Sequence, residues 1–213
     1  MISFFIIYAI ITHMQTADGA QTFVFFGIVG SGKGTQVKLL MDYLKKDGRE
    51  CVYIGTGEIF RQIISSSAVD DTTNTVKELL DSGRLIPDEM TNKLVLEKVK
   101  AELSLEKHAI FDGYPRTLVQ SEVFEKMVRE QGRKNVKIIY IELTAAEAMK
   151  RNLLRGRHDD TEEGLRKRFE EYTNKVIPAM NYFKDKDGYT IYAINGEQSV
   201  EDVHSDIIKA INL

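Results

Sequence analysis

The segment that most restricts this chain's fold is TFVFF (Thr22 to Phe26), followed at once by GIVGSGKGTQ (Gly27 to Gln36) and then by the amphipathic Val37–Leu40 and Tyr43–Leu44. An apolar run, a glycine-rich loop with one lysine and a helical pattern, in that order, read as strand, phosphate loop and helix. Gly27, Gly32 and Lys33 keep the phosphate-loop spacing, with Gly34 where serine or threonine is usual and Thr35 one step later. Glycines let main-chain N–H groups approach phosphate oxygens without Cβ collisions. The helix N-terminus adds partial positive charge, and Lys33 reaches the transferring phosphates. The loop points to nucleoside triphosphate binding; by itself it does not separate ATPases, GTPases and kinases.

Four more strands follow from short runs of β-branched and aromatic residues: Cys51 to Ile54, His108 to Phe111, Val136 to Leu143 and Thr190 to Ile194. Several are apolar throughout, as strands covered on both faces are. Helical patterns lie between them. Ser199 with Asp202 and Thr144 with Glu147 mark helix starts, Asp160 with Glu163 marks another running toward Pro178, and Leu118 to Gln131 ends at Gly132. This alternation predicts an α/β fold, a five-stranded parallel sheet flanked by helices with right-handed crossovers. Between the second and third strands lie three helical patterns, from Gly57, Thr73 and Pro87, where a crossover needs one; part of this, about 56–86, reads as a small inserted subdomain.

With 213 residues, 43 % apolar and 29 % charged, the chain is long enough for one well-filled domain, and three prolines exclude a Pro-rich linker. A formal charge of −3 gives no global drive toward nucleic acid or an anionic membrane, so an anion site must be a local concentration of cations. The single Cys51 excludes an internal disulfide and a cysteine-based metal cluster, in keeping with a reducing cytoplasm. Residues 2–11, ISFFIIYAII, are too short to span a membrane, and no Lys or Arg precedes Lys33 to make a signal-peptide leader. Residues 1–20 therefore read as an extension outside the fold, with Met14 a candidate true start. A weak secretion signal or anchor, and a hydrophobic arm for oligomerisation, are the alternatives. The folded domain runs 21–213.

The ending GSGKGTQ resembles the adenylate kinase family of nucleoside monophosphate kinases. Four further stretches resemble it in the same order: GTGEIFR (Gly55 to Arg61), GRLIPDEMT (Gly83 to Thr91), FDGYPRTLVQSE (Phe111 to Glu122) and RGRHDDTEEGLRKRFEEY (Arg155 to Tyr172). The resemblance runs from about Thr22 to the C-terminus and implies a P-loop kinase fold with a helical insert at about 56–86 that binds the monophosphate. The implied lid is minimal, at about 155–160. The reaction implied is transfer of the terminal phosphoryl group of Mg-ATP to AMP, giving two ADP, by a monomer whose partners are small-molecule nucleotides.

By the same resemblance Gly30, Ser31, Gly32, Lys33, Gly34 and Thr35 cradle the ATP phosphates, Arg151 stacks on the ATP adenine, and Gln198 meets that base through its backbone. Thr56, Arg61, Arg84, Leu85, Ile86, Gly113, Tyr114, Pro115, Arg116 and Gln120 form the AMP pocket. Arg157 and Arg168 touch phosphates between the two nucleotides, and Lys33, Arg116, Arg155, Arg157 and Arg168 stabilise the moving phosphoryl group. Thr56 within GTG matches AMP-selective members, where uridylate-type relatives tend to carry alanine. Asp112, delivered at a strand's carboxyl end beside the phosphate loop, is placed to hold Mg²⁺ through water.

A charge count explains the arginines. A triphosphate brought against a monophosphate assembles roughly six negative charges, of which Mg²⁺ cancels two, and arginine suits forked phosphate contacts. Arg166 is explained by an ion pair on its own helix. Two departures stand out from the family pattern. Gly27-Ile28-Val29-Gly30 replaces Gly-Gly-Pro-Gly or Gly-Ala-Pro-Gly, freeing φ at Val29, and only Gly156 separates Arg155 from Arg157. His158 reads as an exposed residue at a helix start, and His13, His108 and His204 have no partner pattern. The alternatives are the same chemistry on UMP, CMP or GMP, a nucleotide-binding regulator without turnover, and a P-loop hydrolase.

Overall fold

A computed structural model describes residues 19–65, 71–156 and 161–213. The expectations placed on residues 1–18, on Arg157, His158, Asp159 and Asp160, and so on most of the lid at about 155–160, fall outside these. The described strands are β1 (Thr22–Phe26), β2 (Cys51–Gly55), β3 (His108–Asp112), β4 (Val136–Glu142) and β5 (Tyr189–Asn195). They form one parallel sheet in the order β2-β3-β1-β4-β5.

The helices are α1 (Lys33–Lys46), α2 (Thr56–Ser65), α3 (Asp71–Asp81), α4 (Asp88–Glu102), α5 (Leu118–Glu130), α6 (Ala145–Arg155), α7 (Glu162–Glu171), α8 (Ile177–Asn181) and α9 (Val200–Ala210). Among the described residues no helix is long and apolar enough to cross a membrane.

β1 is buried along its whole length because both its faces are covered. Phe23 and Phe25 pack with Val37, Leu40 and Leu44 of α1 and with Val203 and Ile207 of α9. Val24 and Phe26 face the other way, toward Val95 and Val99 of α4 and Phe124, Met127 and Val128 of α5. Truncating a fully buried ring such as Phe111 or Phe124 would cost about 3–5 kcal/mol. The chain leaves β1 through α1 toward one edge and leaves β3 through α5 toward the other, on opposite faces. The neighbours β1 and β3 thus flank a topological switch point, and a crevice opens at their carboxyl ends.

The strands run up to one residue beyond the sequence expectation, and β4 stops one residue earlier, at Glu142. The starts at Ser199 and Thr144 hold, each hydroxyl accepting from the N–H three residues on. The expected start at Asp160 is corrected: Thr161 caps α7 by accepting from Gly164 N–H. α7 then passes through a π-helical turn, Tyr172–Val176, into α8, with Pro178 in the first turn where a missing N–H is harmless. The insert carries its own small core, in which Phe60, Val76 and Ile86 are surrounded by Ile63, Leu79, Leu80 and Met90. His108 is a structural residue. Its Nδ1 accepts from Gln21 N–H at 3.0 Å, and burial, with Arg49, Arg133 and Lys137 nearby, lowers its pKa to about 4.

Candidate active site

The loop after β1 is held by its own backbone. Ser31 N–H donates to Ile28 O at 3.0 Å, closing a turn, and Thr35 and Gln36 N–H return to Gly32 O at 3.0 Å each. Gly32 caps α1 at φ 91°, in the left-handed region that favours glycine, and no side chain caps the helix there. The first turn of α1 thereby offers N–H groups to an anion. Gly34 and Thr35 are exposed in that turn, while Ser31 is buried.

Lys33 folds back over the loop, its Nζ donating to Gly27 O at 2.6 Å and Ile28 O at 2.9 Å. Burial lowers its pKa to about 8; Asp112 pulls it up, while Arg116 and Arg155 push it further down. A partly buried cation crowded by others in this way favours an anionic partner.

Asp112 ends β3, in register with Phe25 of β1 and Gly55 of β2. Tyr53 of β2 donates its hydroxyl to Asp112 Oδ2 at 3.2 Å. Room for that ring comes from Gly55, where a Cβ would lie 2.1 Å from the Tyr53 hydroxyl.

Beyond Asp112 a partly open cleft runs toward the insert. It is lined by Thr56, Gly57 and Phe60 of α2, by Leu80, Arg84, Leu85 and Ile86, by Thr91 of α4, and by Gly113, Arg116 and Gln120. Gly113 O accepts from Thr56 Oγ1 at 2.8 Å and from Arg116 Nε at 2.7 Å. Gly113 takes φ 74°, and a Cβ there would lie 2.5 Å from Arg116 Nη2 and 2.8 Å from Thr56 Oγ1.

Gln120 is buried and engaged at both ends, its Oε1 accepting from Arg116 N–H and its Nε2 donating to Asp88 Oδ1, each at 2.8 Å. Thr117 Oγ1 shares that Asp88 oxygen at 2.9 Å. Burial, followed by the charges of Asp112 and Arg168, sets how readily Arg116 holds its charge, and Asp112 favours the charged form. Arg168 reaches the insert by donating Nη2 to Leu80 O at 3.2 Å, and a Cβ on Gly83 would lie 2.5 Å from Gly164 O, so α7 packs closely on the insert.

On the other side of the phosphate loop, Arg151 donates Nε to Glu147 Oε1 at 2.8 Å and Nη1 to Gly196 O at 2.9 Å, which joins α6 to the loop carrying Gln198. The Gln198 amide donates to Asn195 O and Asp206 Oδ2.

The structure thus brings together Lys33, Asp112, Arg116, Arg155 and Arg168 in one electrostatic neighbourhood. Tyr114 and Pro115 do not line the cleft: both are buried, and the Tyr114 hydroxyl donates to Asn92 Oδ1 at 2.7 Å. Arg61 is exposed on α2 with its guanidinium beside Gly57. Arg166 makes the expected ion pair, to Glu162 at 2.8 Å.

Phe60, Thr91, Tyr53, Asp88 and Asn152 were not foreseen. Phe60 lies four residues from Thr56 on one helix face, a spacing that signals it. Asp88 directly follows Pro87 as the first residue of α4, where acidic residues are favoured. Tyr53 and Asn152 carry no local signal.

A family model described as Adenylate kinase matches residues 25–188. The chain is 34 % identical over 193 residues to the adenylate kinase of Bacteroides thetaiotaomicron, covering 89 % of this chain and 97 % of that protein. It is 32 % identical over 186 residues to adenylate kinase 1 of Nostoc sp., covering 86 % and 95 %. With the adenylate kinase of Thermus thermophilus it shares 31 % over 202 residues, covering 92 % and 100 %.

Proposed function

The chain belongs to the adenylate kinase family, and from that premise we propose that it catalyses Mg-ATP + AMP ⇌ 2 ADP, with the phosphate loop as donor site and the cleft beside the insert as acceptor site. One observation carries this reading. Arg116 lies in the electrostatic field of Lys33 on the donor side while its Nε is tied to the Gly113 carbonyl that forms the wall of the acceptor cleft. A plain nucleotide hydrolase has no need of a second lined cleft sharing its cations with the first.

The chemistry follows from charge. Lys33 leaves its carbonyl partners for the β- and γ-phosphates, the N–H groups of Gly30 to Thr35 hold the remaining oxygens, and Arg155 and Arg168 neutralise charge on the moving group. Arg116 holds the AMP phosphate in line. Thr56, Leu85 and Ile86 bound the acceptor base and sugar with Gln120, while Arg61, Arg84 and Arg157 add positive charge around its phosphate. Arg151 and the Gln198 backbone hold the donor adenine. Catalysis here is positioning and charge neutralisation, so no general base is assigned.

Among the described residues no group of three or more His, Cys, Asp or Glu side chains could hold a metal. The single Asp112 carboxylate suits Mg²⁺ that arrives on the triphosphate and keeps its waters. Held by that carboxylate through water, the ion would supply neutralisation of the phosphate charge. A monomer acting in the cytoplasm on small-molecule nucleotides completes the reading, supported by the near-neutral charge and the lone cysteine.

Lys33→Met is expected to lower kcat for ADP formation by about 10²–10³ or more, by analogy with loss of a transition-state charge donor, with the thermal midpoint retained. A coupled assay offering AMP, UMP, CMP and GMP in turn should show AMP preferred. Phosphate release without any acceptor, or near-normal turnover in Lys33→Met, would overturn the reading.

A further inference from the structure

Asn152 is completely buried on α6, yet it faces the phosphate loop, not the apolar core. Its Nδ2 donates to Val29 O at 2.9 Å, a contact across 123 residues of sequence, and to Ala148 O at 2.7 Å. Both amide hydrogens are therefore spent on carbonyls, which fixes which end of the amide is nitrogen. Its Oδ1 is buried and meets no donor among the described residues. The loop accommodates the amide closely: a Cβ on Gly30 would lie 2.3 Å from Nδ2.

An orphaned buried oxygen is costly, and it offsets part of what the two donated hydrogen bonds contribute. Stability alone is therefore a weak reason for an amide here. What the amide does is grip the loop at Val29, the position where the chain departs from the proline of the family pattern and φ is free. The preceding residue, Arg151, grips the Gly196 carbonyl on the base side. Two consecutive residues of one rigid helix thus tie down the two halves of the donor site.

We propose that Asn152 is a positioning residue for ATP: it anchors the Val29–Gly30 segment to α6 and so holds the phosphate-facing N–H groups in register with the adenine subsite. This rests on the reading of Gly30 to Thr35 as the ATP phosphate site. Anchoring acts on the donor nucleotide, because among the described residues the hydrogen bonds of Asn152 go to Val29 and Ala148 and not to Thr56, Gly113, Arg116 or Gln120.

The test is Asn152→Leu, which keeps the branched outline and removes the donor, with a larger side chain against Gly30. KM for ATP should rise about tenfold, the scale of one lost buried hydrogen bond. KM for AMP should stay within about twofold, and the thermal midpoint should fall by no more than a few degrees. Asn152→Thr is the second variant should the leucine chain not fold: its hydroxyl returns to the carbonyl one turn back and cannot also grip the loop, so the same split in KM values is expected. Calorimetric titration of both variants with ATP and with AMP reads the split independently of turnover.

Unchanged KM for ATP, or a parallel rise for both nucleotides with a lowered thermal midpoint, would overturn the proposal. A wild-type protein that fails to bind ATP would instead overturn the functional reading beneath it.

Discussion

Lys33 gives the most quantitative expectation. Its ordinary value of 10.5 is lowered to about 8 in the unliganded site, chiefly by burial, with Arg116 and Arg155 adding to the effect and Asp112 opposing it. Carrying its proton there costs roughly 3 kcal/mol relative to an unfolded chain. The sign follows from the depressed value of a cation. The cost is fully present below pH 8 and is relieved as pH rises from about 8 to 10.5, so through this group the unliganded protein gains stability over that window.

A bound triphosphate reverses the field and favours the charged lysine, and binding must then take up a proton. At pH 8 about half of the molecules lack that proton, so ATP should capture about 0.5 H⁺, falling to about 0.1 at pH 7 and rising to about 0.9 at pH 9. At pH 8 and above the phosphates of ATP are fully ionised, and the difference between wild type and Lys33→Met isolates the one group. The assay is calorimetric ATP titration in two buffers of unequal ionisation enthalpy. Affinity should weaken toward tenfold per pH unit above 8. Wild-type uptake indistinguishable from zero at pH 8, or equal uptake in Lys33→Met, would refute the reasoning.

Two further expectations follow from close contacts. Gly113→Ala places a methyl where φ is 74° and Arg116 Nη2 would be 2.5 Å away. It should cost about 1–2 kcal/mol in stability and dislodge Arg116, seen as a fall of about tenfold or more in kcat/KM for AMP with KM for ATP little changed. Gly55→Ala puts a Cβ 2.1 Å from the Tyr53 hydroxyl, which should cost about 1–3 kcal/mol by overpacking. In a Tyr53→Ala background the same change should be nearly neutral, and denaturant unfolding of the four chains in that cycle reads the coupling. Additive losses would show that the Tyr53 ring does not occupy the space over Gly55.

The amino-acid sequence determined by itself whatever is written locally. β1, its glycine loop and α1 are contiguous, and their hydrogen bonds close within a few residues, as with Ser31 to Ile28 and Gln36 to Gly32. The caps at Thr144 and Ser199 likewise span three residues, and the apolar strands announce burial on both faces. At the start of α7 the sequence leaves Asp160 and Thr161 as rival caps, and the hydrogen bond from Gly164 N–H selects Thr161.

Tertiary structure alone decided the sheet order and everything that depends on it. Register brings Gly55 beside Asp112 and so lets Tyr53 reach the carboxylate. The rotation of α6 about its axis sends Arg151 to Gly196 and Asn152 to Val29, and the packing of α4 against α5 sets Asp88 against Gln120. These contacts join residues 32 to 123 positions apart. Their existence depends on how whole elements pack, for which no short stretch of sequence carries a signal.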